Sequence, residues 1–139
     1  MAKSALLLLD PTGHLRAESE ALQSRCFHQH ETAEAFLDEL AHQKAAAVCV
    51  VDVRALDSDD CERLRNADCS CLAFGVVIVD SADIGREWLA AGATDFVVLA
   101  ERADELDARI DAAITICDRC QASRHVAAAH QAGLNELVH

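Results

Sequence analysis

Ala46-Ala47-Val48-Cys49-Val50-Val51-Asp52 is a continuous apolar run that stops at a carboxylate. A run this short, rich in β-branched residues, reads as a strand buried on both faces of a sheet. Two other runs end alike: Ala5–Leu9 meets Asp10, and Val76–Val79 meets Asp80. In open parallel sheets, ligands and chemistry gather beyond the carboxyl ends of the strands. Asp10, Asp52 and Asp80 are therefore expected near one rim, as an acidic pocket.

Upstream of that run, Pro11-Thr12-Gly13 makes a turn, and Leu15 to Gln23 reads as one helix with Leu15 and Leu22 two turns apart. Cys26 to His30 is a short, weak strand. Thr32 caps a second helix, with Glu34 in its first turn and Phe36, Leu37 and Leu40 on its inner face. Downstream, the carboxylates of Asp57-Ser58-Asp59-Asp60 suit the positive end of a third helix, whose Cys61 and Leu64 point inward. Leu72 to Val79 is the fourth strand. Ile84, Trp88 and Leu89 mark a short fourth helix closed by Gly92. Phe96 to Leu99 is the fifth strand. From Arg102 a fifth helix carries Leu106, Ile110, Ile114 and Cys117 in register.

Strands and helices thus alternate in five βα units. The expected fold class is α/β, a mostly parallel sheet with helices on both faces and right-handed crossovers. No Pro or Gly interrupts the chain from Arg102 to Ala132, so the last helix is expected to run on to Gly133. Residues 1–118 form the expected domain. Residues 119–139 form a helical extension or linker toward an output domain of a longer chain.

Composition narrows the function. At 139 residues the chain suits one domain with one core. A net charge of −12 argues against a basic face that would grip nucleic acid, and against binding to anionic membranes. No apolar run approaches the roughly 20 residues that span a bilayer, and Met1-Ala2-Lys3-Ser4 does not open a signal peptide, so the chain is expected in the cytoplasm. Seven Cys, an odd number, are expected as thiols there. Cys49 and Cys117 fall in apolar patterns, where free Cys behaves as a small hydrophobe.

Three constellations invite a metal. Cys117, Cys120, His125 and His130 have the spacing of a zinc knuckle with its last Cys replaced by His. Such a knuckle needs a Gly-rich turn, and a continuous helix would turn the His residues away from the Cys pair. Cys69 and Cys71 sit in a loop without nearby His partners. His28 and His30 alternate on the weak strand and share one side, as a surface metal pair or as the polar face of an edge strand. No Gly-rich phosphate loop, Ser-His-Asp order or HExxH is present, and the chain is not expected to be an enzyme.

Leu89-Ala90-Ala91-Gly92-Ala93-Thr94-Asp95-Phe96-Val97-Val98, with Leu8-Leu9-Asp10, Val50-Val51-Asp52-Val53-Arg54 and Ala103 to Ile114, resembles the response-regulator receiver (CheY-like) family over residues 4–117. The resemblance implies a flavodoxin-like (βα)5 three-layer sandwich with a five-stranded parallel sheet in the order 2-1-3-4-5. It makes Asp52 the phosphoacceptor position. It implies Mg²⁺ held by Asp10, Asp52 and the backbone carbonyl of Arg54. The switch positions are a hydroxyl ending the fourth strand (Ser81 in the preferred register, with Asp80 one residue away), the aromatic Phe96, and the position of the family's Lys, which is Leu99.

The chain departs from the family where the chemistry is most demanding. Pro11 replaces the second carboxylate, Leu99 the Lys, and Ala55-Leu56 the usual Met-Pro. The fourth helix is about a turn shorter than usual. Two unit charges about 4 Å apart interact by about 4 kcal/mol at an effective dielectric near 20. Losing the Lys removes an attraction of that order to a phosphoryl group with nearly two negative charges. Losing the acid at position 11 weakens the hold on the dication that should offset Asp52. The expectation is a degenerate receiver, with phosphorylation of Asp52 impaired or absent and no required cofactor. It would act as an interaction and dimerisation module of a two-component-type regulator. The family implies a homodimer through the fourth helix, fifth strand and fifth helix or through the C-terminal helix, and a histidine kinase where Asp52 still reacts. A working phosphoreceiver, and a metal or redox sensor using the C-terminal Cys and His residues, are the alternatives.

Overall fold

The run ending in Asp52 is the central strand of the sheet. In the computed structural model, which describes residues 5–25, 27–43, 47–66 and 75–120, five strands pair in parallel: β1 (Ala5–Leu9), β2 (His28–His30), β3 (Ala47–Asp52), β4 (Gly75–Val79) and β5 (Asp95–Val98). Their order is 2-1-3-4-5, with helices around them, the flavodoxin-like receiver fold. All six residues of β3 and all five of β4 are buried, as expected of strands covered on both faces.

Alternation along the strands feeds two cores. Leu7, Leu9, Cys49, Val51, Val77 and Val79 face one side. There they meet α3 (Ala33–His42) through Phe36 and Leu40, α4 (Ser58–Arg65) through Leu64, and α5 (Ala82–Ala90) through Trp88. Leu8, Val48, Val50, Val76, Ile78 and Val97 face the other side. They pack on Leu15 of α1 (His14–Glu18), Leu22 of α2 (Glu20–Gln23), and Leu106, Ile110, Ala113 and Cys117 of α7 (106–120). This is the expected three-layer arrangement.

Local signals account for most element boundaries. The Thr32 hydroxyl accepts from Ala35 N at 3.2 Å, Asp57 Oδ1 from Asp60 N at 2.8 Å, and Ser81 Oγ from Ile84 N at 3.4 Å, capping α3, α4 and α5. Gly13 closes the Pro11-Thr12-Gly13 turn at φ 76°, and Gly92 ends α5 at φ 117°, both in the region glycine tolerates best.

Several boundaries differ from the sequence reading. The helix expected over Leu15–Gln23 is two short helices, because Ser19 adopts an extended conformation at φ −119° and ψ 112°. The Gln23 side-chain amide donates to the carbonyls of Arg16 at 2.9 Å and Ala17 at 3.1 Å, satisfying acceptors that the break sets free. Both leucines stay buried across it. β5 begins at Asp95 and stops at Val98, because Leu99 opens α6 (Leu99–Arg102), which passes through a 3-10 turn (Ala103–Glu105) into α7. Of the three residues that mark α5 in the sequence, Trp88 is buried beside Gly85 on the inner face, while Ile84 and Leu89 are each 39 % exposed. The three-residue spacing of Gly85 and Trp88 puts them on one helix face. Cys26, Leu72 and residues 121–139, which the sequence reading placed in the second strand, the fourth strand and the extended helix, lie outside the described residues.

Candidate functional site: the carboxyl end of the sheet

Asp10 and Asp52 are the buried charged residues of the described chain, at 0 % and 2 % exposure. Register explains their proximity. β1 and β3 pair through Leu9 and Val51, so each aspartate follows at the end of neighbouring strands. A buried carboxylate needs donors, and the two find different ones. Asp10 takes backbone groups at the start of α1: Leu15 N donates to Oδ1 at 3.4 Å and Arg16 N to Oδ2 at 3.0 Å. A negative group is favourable at that helix end.

Asp52 takes the side chain of Arg54. Nε donates to Oδ1 and Nη2 to Oδ2, both at 2.9 Å, and the Arg54 backbone N adds a third bond to Oδ1 at 3.1 Å. The fork forms because the chain leaves β3 into a 3-10 turn at Val53–Ala55, which folds residue 54 back over the carboxylate. Planar guanidinium and planar carboxylate match in a two-bond pairing stronger and more directional than a single contact. The Arg54 side chain is 25 % exposed, so the pair sits at the rim with its carboxylate inside and its cation partly outside.

The remaining expected site residues are not bonded to this pair in the way Arg54 is. Asp80 is exposed, so the three strand-end carboxylates do not form one buried cluster. The Ser81 hydroxyl is engaged as the α5 cap. Leu99 is half-buried and lines a cleft of about 530 Å³ together with Arg54, Ser19, Ala100 and Leu106. Phe96 is half-buried against α5.

Magnesium fits these donors poorly. Pro11 offers no carboxylate, and the Arg54 guanidinium, itself a cation, lies on both oxygens of Asp52. A dication at the same carboxylate would meet that positive charge. Among the described residues no group of three or more His, Cys, Asp or Glu side chains could hold a metal ion. His28 Nδ1 and His30 Nε2 lie 3.1 and 3.3 Å from the two oxygens of Glu39 on α3. The His28 bond ties the edge strand to its covering helix, whereas His30 Nε2 and Glu39 Oε2 face each other without a hydrogen bond. Cys117 is buried and Cys120 half-buried; His125, His130, Cys69 and Cys71 lie outside the described residues.

The Arg54 side chain, bonded to Asp52, is the feature of this end of the sheet that the sequence does not reveal, since the family resemblance implies only a backbone carbonyl at position 54. The available signal is an Arg two residues after a strand-end Asp, close enough in the chain for a tight turn to bring the two together.

The electrostatics elsewhere on the domain are ordinary surface chemistry. Arg109 on α7 donates to Asp95 at 2.7 Å and to Glu105 at 3.3 Å, and these bonds hold its proton above the usual arginine range. Arg25 reaches Asp107 at 2.7 Å and Asp111 at 2.5 Å, joining the segment before β2 to α7. Burial, the larger influence, pushes the Cys61 thiol up. Among the described residues no helix is long and apolar enough to cross a membrane.

No family model matches the chain, and no curated protein matches it. Among solved structures, it is similar to full-length FixJ from B. japonicum, a response regulator, with a TM-score of 0.64 and 25 % identity. The match covers 95 % of this chain and 68 % of the FixJ chain. Together with the strand order and the aspartate at the tip of β3, the likeness to FixJ supports a receiver-type signalling domain.

Proposed function

We propose that this chain is a degenerate receiver domain whose acceptor-position carboxylate is occupied by its own arginine, and that it signals through protein contacts without phosphorylation at Asp52. The observation that carries this reading is the two-bond fork from Arg54 to Asp52. An acceptor carboxylate attacks phosphorus through an oxygen lone pair. Here Oδ1 already accepts two bonds and Oδ2 one. Attack through the lone pair left on Oδ2 would draw charge away from the fork and then require stabilising a group with nearly two negative charges. The ammonium that would help is absent, because Leu99 stands in its place. Arg54 supplies at its own position the positive charge that metal and Lys supply in the family, but it neutralises the resting carboxylate with it.

The module would dimerise through the α5, β5 and α7 edge or through residues 119–139, and pass its state to an output domain of a longer chain. Exposed Ile84, Leu89 and Ile116 on α5 and α7 support the first surface. This role involves no catalysis and no required cofactor, and a cytoplasmic setting suits it. A histidine kinase partner belongs to the second reading, a working phosphoreceiver. That reading is favoured by the guanidinium itself, which could swing from carboxylate to phosphoryl oxygens.

The deciding experiment treats the full chain with acetyl phosphate, or with beryllofluoride, with and without Mg²⁺. Intact mass and sedimentation are the readouts, on wild type, Arg54→Ala and Asp52→Ala. The expected wild-type result is no covalent adduct and no change in association state. A magnesium-dependent adduct on wild type that Asp52→Ala abolishes would overturn the proposal and establish the second reading.

A further inference from the structure

Gly85 is buried on the inner face of α5, and the Phe96 ring from the second position of β5 lies directly on it. A methyl group built at position 85 would overlap Cγ, Cδ2 and Cε2 of that ring. The backbone does not require glycine here, since the positive-φ glycines are Gly13 and Gly92. Glycine in mid-helix is unfavourable relative to alanine, by about fivefold in an equilibrium constant. The missing side chain at 85 is therefore explained by space for the ring.

The backbone of Phe96 is held as well. Its N–H donates to Asp95 Oδ1 at 2.8 Å, and Asp95 Oδ2 accepts from Arg109 of α7 at 2.7 Å. The Ser81 hydroxyl, at the start of the same helix, is engaged in capping α5. The contact that defines the ring's seat is the notch in α5.

We propose that Gly85 and Phe96 form a latch that holds the α5–β5 edge in one packing arrangement, set by the notch and independent of chemistry at the tip of β3. A side chain at position 85 would evict the ring toward solvent, since the backbone beneath it cannot yield and the ring can rotate about its own side-chain bonds. The latch deepens the reading of this edge as an interaction surface, because the ring seats the helix that carries exposed Ile84 and Leu89. Its test needs neither phosphate nor partner, so the two proposals fail separately.

Urea unfolding of the full chain reports on the latch through Trp88, the single tryptophan, buried one turn along α5 from Gly85. Four proteins make the cycle: wild type, Gly85→Ala, Phe96→Ala and the double variant. The expected result is a reversal of sign. With Phe96 present, Gly85→Ala lowers the folding equilibrium constant by tenfold or more. With Phe96 replaced by Ala, the same change raises it, toward the fivefold that helix propensity allows. NMR of labelled phenylalanine should show the Phe96 ring leaving its packed environment in Gly85→Ala. Equal stabilisation by Gly85→Ala in both backgrounds would overturn the latch. So would failure of both Gly85→Ala proteins to fold while Phe96→Ala folds, because the clash would then be with something other than the ring. Failure of Gly85→Ala alone, with the double variant folded, supports it.

Discussion

The tips of β1 and β3 and the tip of β4 carry the same signal, an apolar run ending in aspartate, and meet different fates. Asp10 and Asp52 are buried with every carboxylate oxygen bonded, whereas Asp80 lies in solvent. The difference comes from the donors within reach. The turn after β1 brings the first N–H groups of α1 over Asp10, and the turn after β3 brings Arg54 over Asp52. After β4 the chain spends its polar side chain, Ser81, on starting α5. A strand-end carboxylate thus becomes a site only when the following turn supplies partners. In this protein the turn after β3 also determines that the Asp52 carboxylate is partnered by a side chain of its own chain.

The largest effect is expected where a buried charge would lose its partner. Arg54→Ala should cost about 2–3 kcal/mol, below the figure for a wholly buried pair because Arg54 is partly exposed. The Asp52→Asn background should shrink that cost to under about 1 kcal/mol, as no charge is then stranded. Urea unfolding of the four proteins measures both, and equal costs in the two backgrounds would show that the fork is not what holds Asp52. Next come the other two tips. Asp10→Ala should cost about 1–2 kcal/mol, the scale of a lost helix cap, with a loss of helical ellipticity. Asp80→Ala should stay within about 0.5 kcal/mol. Similar losses at both would erase the distinction between them.

The smallest effect concerns a half-buried acid to which no donor is assigned. Burial raises the Cys61 thiol, so the folded protein keeps that proton longer than the unfolded chain does. Its contribution to stability is therefore present below the ordinary thiol value of 9.0 and fades as pH rises past it. Unfolding midpoints at about pH 8 and about pH 10 should differ more in wild type than in Cys61→Ser, and iodoacetamide should label Cys61 more slowly than an unburied thiol. A pH response unchanged by the substitution would place the titration elsewhere.

Much of this was legible in the chain itself. The apolar runs, their lengths and the alternation with helical patterns specified five strands and a parallel sheet, because burial on two faces leaves few other solutions. Thr32 and the run Asp57-Ser58-Asp59-Asp60 announced their helices, since a cap and first-turn carboxylates act over about three residues, whereas the Ser81 cap emerged only in the structure. Position 52 at the tip of a doubly buried strand followed from the run alone; that the strand is central follows from the sheet order.

What lay beyond it was decided by packing between segments distant in sequence, or by the direction in which a turn folds. A helical period links Leu15 to Leu22, yet both can reach the core with a break at Ser19 between them, so periodicity could not reveal it. Gly85 has no side chain to signal anything, and its meaning depends on a ring eleven residues later on another element. Arg54 stood next to the right aspartate throughout. Its role was hidden because a long side chain has many directions, and only the 3-10 turn at the end of β3 selects the one that closes over the carboxylate.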